Sequence, residues 1–222
     1  MSNRTIAITG ANRGIGLALA QHYAAQGDKI IAIVRSVSEP ITDIADKIVT
    51  TDDVGDPDLP ERVVKALDGE RIDILLNVAG IMLWENLEEL DREIITQQFN
   101  VNAMAPLMLS AGLVNVMAAD GKMVFLTTRL GSLADNTSGA GYGYRMSKAA
   151  LNMAARSLAV DLEPKGIAIG LVHPGSVKTS LNKLGGEIEV EESVRGIVQR
   201  VDELTLKTTG SYRHQNGIDL PW

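Results

Sequence analysis

Short runs of apolar, mostly β-branched residues alternate along this chain with longer stretches of helical periodicity. Thr5–Thr9 (TIAIT), Lys29–Val34 (KIIAIV), Lys47–Thr50 (KIVT), Ile72–Leu76 (IDILL), Lys122–Thr127 (KMVFLT) and Ile167–Val172 (IAIGLV) read as strands. They are nearly continuous in apolar residues, which is the pattern of strands covered on both faces. Helical patterns separate them, and glycine closes two: Ile15–Gln26 ends before Gly27 and Tyr144–Lys165 before Gly166. A last helix begins near Glu191. Strand–helix–strand repetition predicts right-handed crossovers, a parallel sheet and helices on both faces. No linker-like shift, low-complexity tract or short repeat interrupts residues 1–222, so one doubly wound α/β domain is expected.

One helical pattern stands apart. Pro106–Met117 (PLMLSAGLVNVM) is apolar nearly all round, and a helix without a polar face is expected to be buried on both sides. The Tyr144–Lys165 helix carries Ala149, Ala150, Ala154, Ala155 and Ser157, which allow a neighbour to approach closely. Internal packing explains both features; so does a homodimer or homotetramer interface built from the 106–117 and 144–165 helices.

Composition narrows the chemistry. Hydrophobic residues make up 45% and charged residues 22%, as in an ordinary folded chain. The absence of cysteine removes disulfides, thiolate nucleophiles and Cys-ligated metals. His22, His173 and His214 are too scattered to suggest a metal site, and none is expected. Twenty-one Lys and Arg against 28 Asp and Glu give a formal charge of −7, without a basic stripe for nucleic acid. The longest apolar stretch, Pro106–Ala119, is interrupted by Ser110, Gly112 and Asn115 and falls short of a span. The expectation is a cytoplasmic protein acting on a small molecule.

Directly after the first strand comes Thr9-Gly10-Ala11-Asn12-Arg13-Gly14-Ile15-Gly16, which opens the first helix. Glycines at this junction let the backbone turn tightly and approach a pyrophosphate at the positive helix N-terminus. A tight turn alone would also use them, but their place at the start of a βαβ unit points to a dinucleotide. The spacing is Gly-x-x-x-Gly-x-Gly. Farther on, Tyr144 and Lys148 are four apart on a helix, so their side chains share a face. An ammonium near a phenol favours the phenolate and lowers its pKa, making the tyrosine a workable proton shuttle. Asn100 and Asn102 sit oddly in a helical pattern, where asparagine tends to hydrogen-bond locally.

Together Thr9–Gly16, Asn77-Val78-Ala79-Gly80, Tyr144-x-x-Ser147-Lys148 and His173-Pro174-Gly175-Ser176-Val177-x-Thr179 resemble the short-chain dehydrogenase/reductase family. Tyr144-Arg145-Met146-Ser147-Lys148-Ala149-Ala150-Leu151-Asn152 and Leu220-Pro221-Trp222 look like its C-factor and sniffer-type carbonyl reductases. The resemblance implies a Rossmann-like fold, Tyr144 as proton donor, Lys148 on the nicotinamide ribose and Asn102 holding a water in a proton relay. It implies cofactor contacts at Gly10, Asn12, Arg13, Gly14, Ile15, Gly16, Asn77, Ala79, Gly80, Pro174, Gly175, Val177 and Thr179. Asp53-Val54 resembles the pair that contacts adenine, although Asp52 blurs the register. Val78 departs from the family's usual asparagine. So does the substrate-orienting serine: Thr128 at the strand end keeps a hydroxyl, while Ser132 is its rival with better spacing to Tyr144.

The second strand ends in Val34, followed by Arg35, where an acidic residue would accept a ribose hydroxyl. Arg13 in the glycine loop and Arg35 suit a 2′-phosphate, so NADPH is the expected cofactor. The expected reaction is hydride transfer between this nicotinamide and an aldehyde or ketone. Only Ser180–Val190 separates Thr179 from the last helix, so the flap is short and the pocket open, with Ile81, Met82, Trp84 and Tyr142 as apolar walls. A nucleotide-binding regulator of the C-factor type, with little or no turnover, is the competing reading. A nucleotide-sugar lyase or epimerase would need a larger substrate domain.

Overall fold

The computed structural model describes residues 4–182 and 185–222. Seven strands, β1 (Thr5–Thr9), β2 (Lys29–Val34), β3 (Lys47–Thr50), β4 (Ile72–Asn77), β5 (Met117–Leu126), β6 (Ala168–His173) and β7 (Ser211–His214), form one sheet. Its order is β3-β2-β1-β4-β5-β6-β7 and every pairing is parallel. The helices are α1 (Gly14–Ala25), α2 (Glu39–Thr42), α3 (Leu59–Leu67), α4 (Arg92–Phe99), α5 (Ala105–Leu113), α6 (Tyr142–Leu162) and α7 (Val190–Glu203). Strand order reverses between β1 and β4, and ligands of such sheets bind at the carboxyl ends beside that reversal. This is the expected Rossmann-like fold.

The apolar strands are explained by two cores, one on each face of the sheet. In β2, Ile31 and Ile33 enter one layer with Leu75, Phe125, Leu151 and Leu158, while Ile30, Ala32 and Val34 enter the other with Leu19, Tyr23 and Ile197. With both faces covered, neither set of alternating positions can be polar.

Three expectations need correction. β7 was not anticipated: it has four residues and only Tyr212 is apolar. The fifth strand starts at Met117, with a register break between the partners of Ile72 and Ile74, so α5 ends at Leu113 and not at Met117. Nor is that helix buried on both sides within one chain. Ala105, Leu109 and Leu113 are buried, whereas Met104 and Met108 are 45% and 57% exposed. On α6, Met146, Met153 and Val160 are exposed as well. The helical run Arg92–Val116 is long and apolar enough to cross a membrane, but here it packs against α3 and α6.

Candidate active site

At the carboxyl end of β1 the chain folds into a cradle. Gly10 and Gly14 adopt φ of +70° and +54°, a region that disfavours side chains. A Cβ on Gly16 would lie 2.3 Å from the Gly10 carbonyl oxygen, so only glycine lets the first turn of α1 approach the loop this closely. Thr9 Oγ1 accepts the N–H groups of Val78 and Ala79 at 2.9 and 3.0 Å, locking β1 to β4. Ala79 thereby lies against Gly10. The exposed helix N-terminus and the glycine backbone fit a dinucleotide pyrophosphate.

Asn12 ties this loop to the next, donating to the carbonyl and hydroxyl of Ser36, both at 3.2 Å. Ser38 Oγ returns a bond to the Asn12 carbonyl at 3.1 Å. The turn carrying Arg13 is thus fastened to the turn carrying Arg35. Both arginines are exposed, and neither makes an ion pair among the described residues. Ile15 packs at the edge of the core. Asp53 is exposed and its carboxylate accepts the Gly55 N–H at 2.8 Å, with half-buried Val54 between them. The Asn77 side chain donates to Ser110 of α5 at 3.1 Å, and its Oδ1 is buried without a partner among the described residues.

The residues expected to be catalytic lie beside the ends of β4 and β5, the next two strands of the sheet. Tyr144 and Lys148 are buried on α6, and the Lys148 ammonium donates to the Leu126 carbonyl at the end of β5, 2.9 Å away. Burial pushes the Tyr144 phenol up to about 12 and lowers Lys148 to about 8. The phenol shift runs opposite to the expected one, because desolvation acts on both groups and the ammonium is spent on a carbonyl. Gly80 lies between Lys148 and Asn102: a Cβ there would be 3.1 Å from Asn102 Oδ1 and 3.7 Å from Lys148 Nζ.

Asn102 is buried in a π-helical turn, Asn100–Met104, between α4 and α5. Pro106 lacks the N–H that a regular helix would offer the Asn102 carbonyl four residues earlier, which accounts for the irregular turn. The Asn102 amide clasps Ile81, accepting its N–H and donating to its carbonyl, both at 2.9 Å. It also donates to Ser147 Oγ at 3.0 Å, and Ser147 donates to the Tyr144 carbonyl at 2.8 Å. Asn100 is exposed.

Thr128 is buried at the end of β5, its carbonyl held by the Tyr212 hydroxyl of β7 at 2.7 Å. Its own hydroxyl makes only a long 3.3 Å contact from the Leu130 N–H. Ser132 is committed elsewhere, donating to the Trp222 carbonyl and accepting from the Asp135 N–H, both at 3.1 Å. After β6, Pro174 is fixed by Ser193 Oγ at 2.7 Å, Gly175 has φ of +88°, Val177 is buried, and the Thr179 methyl meets Gly14. The C-terminal motif therefore reaches the glycine loop. The flap turns back on itself through bonds from Glu187 and Ile188 to the Ser176 carbonyl; its Lys183 and Leu184 lie outside the described residues. Among the expected walls, Ile81, Met82 and Tyr142 are half-buried and Trp84 is exposed against Gly141.

A profile for short chain dehydrogenases matches residues 4–187. The chain belongs to the short-chain dehydrogenase/reductase family. It is 31% identical over 224 residues to 1-hydroxy-2-glutathionyl-2-methyl-3-butene dehydrogenase of Rhodococcus sp. (strain AD45), covering 98% of this chain and 99% of that one. It is 38% identical over 154 residues to C-signal of Myxococcus xanthus, covering 68% and 93%. The crystal structure of NADPH-bound carbonyl reductase from chicken fatty liver superposes with a TM-score of 0.90 at 27% identity, over 100% of both chains. These likenesses agree with the expected kinship to C-factor and sniffer-type reductases. This short-chain dehydrogenase is accordingly an oxidoreductase with a nicotinamide cofactor and a small-molecule substrate.

Proposed function

We propose that this protein is an NADPH-dependent carbonyl reductase with Tyr144 as the proton donor. The observation that carries the reading is the meeting of Lys148 Nζ and Asn102 Oδ1 at Gly80, with Tyr144 buried one turn before Lys148 on α6, beside a cradle suited to a dinucleotide. Gly10, Gly14, Ile15, Gly16, Ala79, Gly80 and the Pro174–Thr179 segment would line the cofactor, with Asn77 contributing backbone and Asp53 and Val54 lying at the adenine. Arg13 and Arg35 would hold the 2′-phosphate by charge-assisted hydrogen bonds, with Asn12 fixing their two turns. When bound, the cofactor supplies the hydride that reduces the carbonyl carbon.

The chain's own residues manage the proton. Burial keeps the Tyr144 phenol protonated at neutral pH, ready to donate to the carbonyl oxygen as charge develops there. Thr128 Oγ1 orients that oxygen. Lys148, charged below about pH 8, holds the ribose and passes a proton back toward Tyr144 through water held at Asn102. The exposed apolar faces of α5 and α6 support a homodimer or homotetramer formed through them.

NADPH consumption with a panel of aldehydes and diketones tests this directly. Tyr144→Phe should lower kcat at least ~100-fold, the scale of losing a general acid, with NADPH affinity nearly intact. Turnover within a few-fold of the parent names a different acid. The likeness to C-signal favours one second reading, a nucleotide-binding signalling protein. NADPH binding with no turnover across the panel would select it.

A further inference from the structure

Glu85 is only 3% exposed, and no Lys, Arg or His pairs with it among the described residues. An unpaired buried carboxylate is costly unless hydrogen bonds and dipoles hold it. One oxygen accepts from Gln98 Nε2 of α4 at 2.8 Å. The other accepts the Gly143 N–H in the first turn of α6 at 3.3 Å, at the positive end of a 21-residue helix. Gly143 permits this meeting, since a Cβ there would lie 2.5 Å from Glu85 Oε1 and 2.6 Å from Gln98 Nε2.

The same residues fasten the loop after β4. Gln98 Oε1 accepts the Leu83 N–H at 2.8 Å, and the Glu85 carbonyl accepts the Gly141 N–H at 2.8 Å. One helical turn beyond Gln98, Asn102 clasps Ile81. Between these anchors Trp84 lays its ring on Gly141. Gly139, Ala140 and Gly141 all have left-handed φ, of +63°, +52° and +58°. For Ala140 that is an unfavoured conformation, retained on one side by the Gly141 N–H donating to the Glu85 carbonyl and on the other by Arg145 Nε donating to the Ala140 carbonyl at 2.9 Å.

We propose that Glu85 and Gln98 are a positioning pair that locks the Ile81–Glu85 loop to the start of α6, setting Trp84 and Tyr144 as one block against the carbonyl substrate. The consequence for substrate rests on the reductase reading; the lock itself does not. A carboxylate is needed because both donors facing it require an acceptor, and glutamine supplies only one oxygen. Exchanging the two side chains restores the count: a glutamate at 98 accepts from Leu83 and from the amide of a glutamine at 85, whose oxygen still serves Gly143.

The test compares Glu85→Ala, Glu85→Gln and the exchange Glu85→Gln/Gln98→Glu. NADPH affinity, kcat and KM for a diketone are measured for each. Trp84 fluorescence quenching by acrylamide is read in a Trp222→Phe background, since the chain has two tryptophans. Glu85→Ala should raise KM at least ~10-fold, the cost of losing well-placed hydrogen bonds, leave NADPH affinity unchanged and make Trp84 more quenchable. Glu85→Gln should show a smaller change in the same direction, and the exchange should return KM and quenching toward the parent. The proposal is overturned if Glu85→Ala leaves both unmoved, or if the exchange is no better than Glu85→Gln. Should the parent reduce no carbonyl, quenching decides alone: unchanged Trp84 sinks the lock, while altered and then rescued Trp84 upholds it and sinks only the reductase reading. Should Glu85→Ala fail to fold, the glutamine variant and the exchange carry the same comparison.

Discussion

Thr128 and Ser132 offer the same functional group in different company. The Ser132 hydroxyl is occupied on both sides by the backbone of Trp222 and Asp135, whereas Thr128 keeps its hydroxyl nearly unengaged at the end of β5. Thr128→Val, which keeps the shape and loses the hydroxyl, should therefore lower kcat/KM by at least ~10-fold. Ser132→Ala should leave kcat/KM within a few-fold and lower unfolding free energy by about 1 kcal/mol. Steady-state kinetics with a urea titration separate the two, and the reverse ranking moves the orienting role to Ser132. The sequence favours Thr128 by its place at the strand end and keeps Ser132 as a rival by its spacing to Tyr144, but it cannot show who occupies each hydroxyl. The same blindness explains the Tyr144 expectation. Four-residue spacing puts the phenol and ammonium on one face, yet spacing carries no information about desolvation, which raises the phenol.

At the scale of elements, the cradle is a turn and a helix start made possible by Gly16 and joined by Asn12 to the turn after β2. Arg13 and Arg35 stand on those two turns, and the preference for NADPH is predicted to live there. If each contributes roughly 1.5–3 kcal/mol through charge-assisted bonds, replacing both with alanine should weaken NADPH binding at least ~100-fold. NADH binding should scarcely change. Titration of both cofactors decides it, and a parent that binds NADH as tightly as NADPH would reduce the arginines to surface charges. Six of the seven strands were legible because apolar runs mark strands buried on both faces. β7 was not, since a short edge strand reading Ser-Tyr-Arg-His gains its identity only from pairing with β6. The π turn at Asn102 left readable traces, two asparagines inside a helical pattern and a proline four residues after Asn102. Glu85 and Gln98 left none, because a buried carboxylate in a loop looks like any surface glutamate until its donors are known.

For the molecule as a whole, one half-buried imidazole ties stability to pH. His173, at the end of β6, is lowered to about 3 by burial first, then by His214 and Arg129. Its Nδ1 is buried without a partner and its ring meets His214 edge-on at 5.0 Å. The unfolded chain takes up a proton near pH 6.5, while the folded one refuses it until about pH 3. The associated stability is complete above pH 6.5 and is lost as pH falls toward 3, at up to about 1.4 kcal/mol per pH unit. His173→Asn should flatten the decline of melting temperature between pH 7 and 4.5; an unchanged slope removes His173 as its source. Association is tested on the exposed methionines. A Met108→Glu/Met153→Glu pair should shift the mass measured by light scattering to that of one chain, and a parent already at that mass ends the oligomer reading. The fastening of the Thr128 carbonyl by Tyr212, and of Ser132 and Ala134 by the Trp222 carbonyl, also has a meaning in time. A ribosome delivers the glycine loop early and the fasteners of the Thr128 loop about two hundred residues later. A nascent chain halted before residue 212 has already made Tyr144 and Lys148, yet the loop bearing Thr128 is held only through Thr127 and Gly131, so it takes its final place after Tyr212 and Trp222 have been made.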